Sequence, residues 1–320
     1  MLDDRCAAIS PPHPPSLREG GAVGAVSVAP QLDLQRLTIG LALVAVYVIW
    51  GSTYLGMRIA LESFAPFVLG ATRFLVAGAL LLVWVRLRGT PWPTAAEWRG
   101  AAISGVLMCT FGNGLVAVAQ GAHVDSGVAA TVVATMPMWM ALAGALLGER
   151  PTRRELLGLL LGFAGVAILQ GGGNLAAGGS LGLVIVGAPV AWALGSVAAR
   201  RCAMPKGSMG AAAQMLAGGA AMALIAALRG EPLPANLDAR AVGSVAYLAL
   251  VGSLLGFTAY GYLLRSTRPA VASSYAYVNP VVAMVLGAIV AGEALDAGRV
   301  VACAVIIAGV LVVMRRPRRA

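Results

Sequence analysis

Arg73 stands in the apolar stretch ATRFLVAGALLL and is the one formal charge well inside such a stretch; all 13 acidic residues fall in the amino-terminal tail, loops or the ends of apolar runs. Burying a guanidinium in a membrane costs about 2.5–3.5 kcal/mol on insertion scales, so a partner is required. Either it receives a carboxylate or other anionic group of a bound solute, for which its planar fork is suited, or it is structural. In the second case it caps carbonyls of a broken helix or pairs with Glu62 or Glu293. Polar and aromatic residues gather in a few runs: Trp50, Ser52, Thr53 and Tyr54; Asn113; Thr135 and Trp139; Tyr260; and Tyr275, Tyr277 and Asn279. Rings with a few hydroxyl and amide groups suit an amphipathic organic molecule, and a cation can rest over their faces. For Asn113 and Asn279 the alternative is an interhelical hydrogen bond, worth about 0.6 kcal/mol on average. Tyr47, Trp84, Trp92, Trp98 and Tyr262 read instead as anchors at a membrane interface. Pro137 and Pro280 each remove a backbone hydrogen bond inside an apolar run, as hinges beside a site or as packing kinks.

The elements that must carry these residues are membrane helices. The chain of 320 residues is 59% hydrophobic and 11% charged, with a mean hydropathy of +0.84, and lipid rather than water must cover it. Apolar runs near 37–57, 66–86, 100–119, 124–147, 154–170, 181–199, 209–228, 241–264, 270–292 and 299–314 each approach the roughly 20 residues that cross a bilayer. They are too continuous for the alternating strands of a barrel. The expected fold is therefore an all-α membrane protein of ten transmembrane helices.

A net charge of +10 does not mean nucleic acid here, because of where the charges sit. With a cytoplasmic amino terminus, 18 of the 23 basic residues fall in inner segments, Arg58, Arg229, Arg240 and Arg299 fall in outer loops, and Arg73 lies within a span. This bias predicts that both termini are cytoplasmic. Residues 1–36, rich in Pro and Gly, read as a disordered cytoplasmic tail without the pattern of a cleaved signal, and an upstream start-codon misassignment would equally explain them. Residues 315–320 form a short basic tail. Cys6, Cys109, Cys202 and Cys303 lack the spacing of a disulfide framework or metal site.

Residues 37–170 and 181–314 repeat one another. Trp50 corresponds to Trp192, Pro137 to Pro280, Gly127 to Ala270, Gly148-Glu149 to Gly292-Glu293, and Gly165 to Gly309. Five spans per half is an odd number, so the second half enters the membrane inverted, the arrangement that underlies alternating access. Trp50-Gly51-Ser52, Arg73 in its stretch, DSGVAATVVATMP ending at Pro137, Gly148-Glu149-Arg150 and GFAGVAIL together resemble the drug/metabolite transporter superfamily, in particular ten-helix carriers with two EamA domains. The resemblance implies a bacterial inner-membrane carrier, commonly an exporter of amino acids, other metabolites or toxic small molecules, with its cavity between the halves. It leaves importer, exchanger, lipid head-group flippase and accessory subunit on the same fold as alternatives. Gln214 and Met215 stand near the second-half position matching Arg73, which predicts a cavity asymmetric in charge.

Other chemistry is not supported. The histidines are His13 and His123, no HExxH or GxxxxGK run occurs, and no carboxylate lies at midplane depth, so neither an enzyme nor a nucleotide-driven pump is expected and no cofactor is implied. Glu149 and Glu293 end their runs close to Arg150 and Arg299, which favours ion pairs over a proton relay. Gly158 and Gly162 allow close helix approach, within the protein or between two copies as a homodimer.

Overall fold

The computed structural model describes residues 29–122, 132–169, 179–234, 237–291 and 297–314. Among them there is no strand. The helices are α1 (Ala29–Ala60), α2 (Pro66–Leu87), α3 (Ala95–Gly121), α4 (Met136–Leu146), α5 (Arg153–Leu169), α6 (Gly179–Arg201), α7 (Ser208–Leu228), α8 (Ala239–Ser266), the short α9 (Pro269–Ser273), α10 (Tyr275–Ala291) and α11 (Ala297–Met314). Among the described residues, five helical runs, Leu34–Ala60, α2, α3, α7 and α8, are long and apolar enough to cross a membrane. Two apolar runs, Met136–Leu146 and Val300–Met314, are shorter. Gly127, Glu293 and the tail before Ala29 lie outside the described residues.

α1 begins ahead of the boundary read from the sequence, so residues 29–36 are helical rather than tail. The reason is a stripe: Leu34, Leu37, Leu41, Val44 and Val48 are all exposed at spacings of three and four, one continuous apolar face that only lipid can cover. The opposite face buries Leu43, Val46 and Trp50.

Packing pairs the first half of the chain with the second. α2 lies along α7 and α5 along α11; α1 contacts α8 and α10, as α6 contacts α3 and α4. The α5–α11 seam is backbone against backbone. A Cβ on Gly309 would sit 2.6 Å from Gly162 N and 2.8 Å from Gly158 O. The GxxxG pair is thus consumed inside the molecule.

Two helices change pitch midway. α3 is π-helical over Val106–Asn113 and α8 over Leu248–Leu255. These segments occupy equivalent places, 142 residues apart, the same offset that separates Trp50 from Trp192. π turns of this kind concentrate at functional sites, because their wider ring shifts the helix face and frees backbone groups. Pro137 falls at the first turn of α4, after a break at Ala134-Thr135, whereas Pro280 lies inside α10 following the break at Ser274.

The amino end of α2 has no cap from its own flank. Glu231, beyond α7, supplies one, accepting from Phe67 N at 2.8 Å and Val68 N at 3.1 Å and pairing with Arg229 at 3.5 Å. Glu231→Ala is expected to destabilise the protein by about 1 kcal/mol, a typical loss for a helix cap. A fall of a few degrees in Tm of the detergent-solubilised protein checks it.

Candidate functional site

A cleft of about 590 Å³, its mouth included, lies where the two halves meet. α1 gives it Trp50, Thr53, Tyr54 and Met57, the i, i+3, i+4, i+7 stripe of one helix face. α2 gives Arg73; the π segment of α3 and the turn after it give Gly112, Asn113 and Val116; Val133 comes from ahead of the break before α4 and Met136 from the start of α4; Ala188, Pro189 and Trp192 from α6; Phe257 from α8; Tyr275 and Asn279 from α10. The wall is mostly aromatic and aliphatic with a few polar groups, the usual character of a small-molecule site.

Trp50 is the centre of the wall. Its ring meets Trp192 edge-on at 5.3 Å and 89°, Tyr275 at 4.6 Å, Tyr260 at 5.0 Å and Phe257 at 5.8 Å. Its Nε1 donates to Gly252 O at 2.9 Å. The indole fits only because Gly256 has no side chain: a Cβ there would lie 2.3 Å from Trp50 Nε1. Trp192 also packs into a glycine gap, two residues out of that register: a Cβ on Gly112 would lie 2.7 Å from its ring. The two contacts differ in a further respect. Trp192 Nε1 lies near Tyr260 Oη but meets no acceptor in hydrogen-bond geometry.

Arg73 is 4% exposed. Its Nε donates to Ser253 Oγ at 2.8 Å and its Cζ lies 4.7 Å from the centre of the Phe74 ring. The π segment of α8 thus serves two site residues at once, through the Gly252 carbonyl and the Ser253 hydroxyl. Among the described residues no carboxylate is within ion-pair distance of Arg73; Glu62, one partner expected for it, pairs instead with Arg240 at 3.8 Å. Pairing with Glu293 lies outside the described residues. Asn279, 3% exposed, sits beside Tyr54, and its Oδ1 has no partner among the described residues.

Of the site residues expected from the sequence, Trp50, Thr53, Tyr54, Arg73, Asn113, Tyr275 and Asn279 meet in this cleft. The others lie elsewhere. Ser52 Oγ bonds Val48 O and Ile49 O of its own helix at 2.8 Å and Tyr247 Oη at 2.5 Å. Thr135 and Trp139 bond one another at 3.1 Å. Tyr260 stands behind the wall, with its hydroxyl 2.8 Å from Ser196 Oγ. Tyr277 turns away and donates to Leu159 O at 3.0 Å. Met57, Gly112, Val116, Val133, Met136, Ala188, Pro189, Trp192 and Phe257 complete the lining without having been expected there. Trp192 had shown itself as a repeat landmark, and helical spacing from Trp50 would have found Met57.

A second cleft opens at the end of the bundle where α4 and α6 finish. Here Glu149 pairs with Arg200 at 3.5 Å and Arg201 at 3.0 Å, and buried Glu155 with Arg268 at 2.7 Å. Arg200 also donates to Leu264 O and Thr267 O at 2.6 and 2.9 Å. Charges from the first half are thereby tied to charges from the second. Glu149 is held as an ion-pair partner, by Arg200 and Arg201 rather than by the adjacent Arg150 that its sequence context offered.

The chain matches the EamA-like transporter family twice, over residues 37–170 and 180–315. It belongs to that family. The chain is accordingly a membrane transporter rather than an enzyme, moving a small molecule across a lipid bilayer. Among EamA-like relatives, the uncharacterized inner membrane transporter YedA of Escherichia coli (strain K12) is 41% identical over 279 residues, 87% of this chain and 91% of its own length. The probable terminal-alkyne amino-acid exporter of Streptantibioticus cattleyicolor is 26% identical over 282 residues, covering 86% of this chain and 93% of the exporter. A crystal structure of 24% identity superposes with a TM-score of 0.71 over 87% of this chain and 98% of its own, which establishes likeness of fold.

Proposed function

We propose that the chain is a secondary transporter exporting small organic metabolites (amino acids, related metabolites or drugs) across the inner membrane by alternating access. Its ten transmembrane helices form two inverted five-helix repeats, both termini are cytoplasmic, and substrate sits in the cleft between the halves against Trp50, Tyr54, Arg73, Asn113, Tyr275 and Asn279. The observation that carries this reading is a buried guanidinium facing a cleft with no carboxylate partner among the described residues. A charge so placed suits a ligand that arrives and leaves. The helix pairings and the matched π segments support the inverted repeat. The positive-inside bias supports the orientation, and the names of the two relatives support the inner membrane and export.

The test is counterflow in sealed vesicles containing the purified protein, using mixed amino acids and small organic anions and cations, with and without a pH gradient. Saturable exchange of one class is the expected result; its absence for every solute, with folded and inserted protein, rejects the reading.

Alternating access gives the ion pairs at Glu149 and Glu155 a role as the closed gate of this state. Glu149→Gln weakens two of them and is expected to raise thiol labelling of a cysteine placed at buried Met140 by about tenfold, in a background without the native cysteines. Unchanged labelling would remove the gate.

A further inference from the structure

The cleft carries a single fixed charge. Arg73 supplies it, and among the described lining residues there is no acid to balance it. Ser253 occupies Nε, while the two terminal nitrogens make no hydrogen bond among the described residues. A second feature of the cleft also asks for a partner. Asn279 is 3% exposed and sits beside Tyr54, and among the described residues nothing donates to its Oδ1. A buried amide oxygen left so loses a hydrogen bond it would have made to water, and gains when a ligand N–H or O–H reaches it.

Charge balance then separates the candidates. A solute of net charge minus one leaves the filled cleft neutral. A zwitterion leaves the arginine's charge uncompensated, and an organic cation doubles it, in surroundings where residual charge is costly. A neutral donor satisfies Asn279 without adding charge. We propose that this cleft selects net-monoanionic solutes with an aromatic or apolar body and an uncharged hydrogen-bond donor, of the N-acyl amino acid or hydroxy acid type, over free zwitterionic amino acids. Arg73 takes the carboxylate through its terminal nitrogens, and Asn279 Oδ1 reads the donor. The inference rests on the cleft being the transport site.

Binding to the purified full-length protein in detergent, by calorimetry, tests it with five probes of one skeleton: N-acetylphenylalanine, 3-phenylpropionate, phenylalanine, N-acetylphenylalaninamide and phenethylamine. N-acetylphenylalanine is expected to bind about tenfold or more tighter than phenylalanine or the neutral amide, with 3-phenylpropionate weaker by about tenfold for lack of a donor. Asn279→Leu should abolish the gap between N-acetylphenylalanine and 3-phenylpropionate while leaving 3-phenylpropionate unchanged. Arg73→Gln should abolish the preference over the amide, and Arg73→Lys, which keeps the charge, should retain part of it. Phenylalanine binding as tightly as its N-acetyl derivative overturns the proposal, as does binding of none of the five, or an equal loss of both acids in Asn279→Leu. Binding indifferent to all three substitutions places the ligand outside the cleft and removes the site itself. The expected order of binding without counterflow in vesicles removes the carrier reading and leaves the charge selection standing.

Discussion

Arg73→Gln is expected to lower exchange of an anionic substrate by about a hundredfold, with the protein still inserted in the membrane. The guanidinium is 4% exposed, and among the described residues its one hydrogen-bonded neighbour is a serine hydroxyl. Removing one member of a buried charge pair costs about 2–5 kcal/mol, a factor of tens to thousands in affinity. Here the missing member is the substrate, so the loss falls on transport and not on folding. Insertion should become slightly easier, since a midplane charge is gone. Arg73→Lys keeps the charge but lacks the Nε that meets Ser253 and the fork that grips two oxygens, so an intermediate loss of about tenfold is expected. Initial rates of counterflow, normalised to inserted protein, decide it. Full activity in Arg73→Gln would show the arginine to be structural.

Gly309→Ala should prevent accumulation of folded protein. Its added carbon would lie 2.6 Å from Gly162 N and 2.8 Å from Gly158 O, and neither atom belongs to a side chain that can swing aside. α5 and α11 must separate along their length. Overpacking of a well-filled core costs typically 1–3 kcal/mol, and a clash of backbone with backbone belongs at or above the upper end, about 3 kcal/mol. Gly243→Ala is the matched control: this glycine lies within α8 with nothing within 4 Å of the new carbon, so the change should be neutral or mildly stabilising through helix propensity. Monodispersity and Tm of the two variants in detergent give the comparison. Equal behaviour would mean that the seam tolerates separation.

Much of the helical layout was legible because twenty-residue apolar runs have one physical solution in lipid. The site was legible by residue type and less so by direction. Ser52 and Tyr277 each follow a cleft residue by two positions, and two positions on a helix are about 200° of rotation, so they point away while Trp50 and Tyr275 point in. Thr53, Tyr54 and Met57 share the face of Trp50 for the same reason. The π segments were not legible, since their wider turn has no composition of its own. The paired glycines Gly112 and Gly114 in α3, and Gly252 and Gly256 in α8, are the trace they leave, each admitting or adjoining an aromatic ring or the arginine. α1's start was misplaced because Pro and Gly upstream masked a lipid-facing stripe that begins at Leu34.

The perpendicular tryptophans give the molecule an optical signature of its occupancy. Trp50 and Trp192 are two of the six tryptophans, held 5.3 Å apart at 89° with one indole N–H tied to a carbonyl and the other untied. Chromophores that close share their excitation, and the resulting circular-dichroism couplet depends on the angle between them. A solute lodged against either ring, or a change of state that moves α1 against α6, therefore alters a near-ultraviolet band without any label being added. The transport cycle can be followed by the absorption of the residues that line its path.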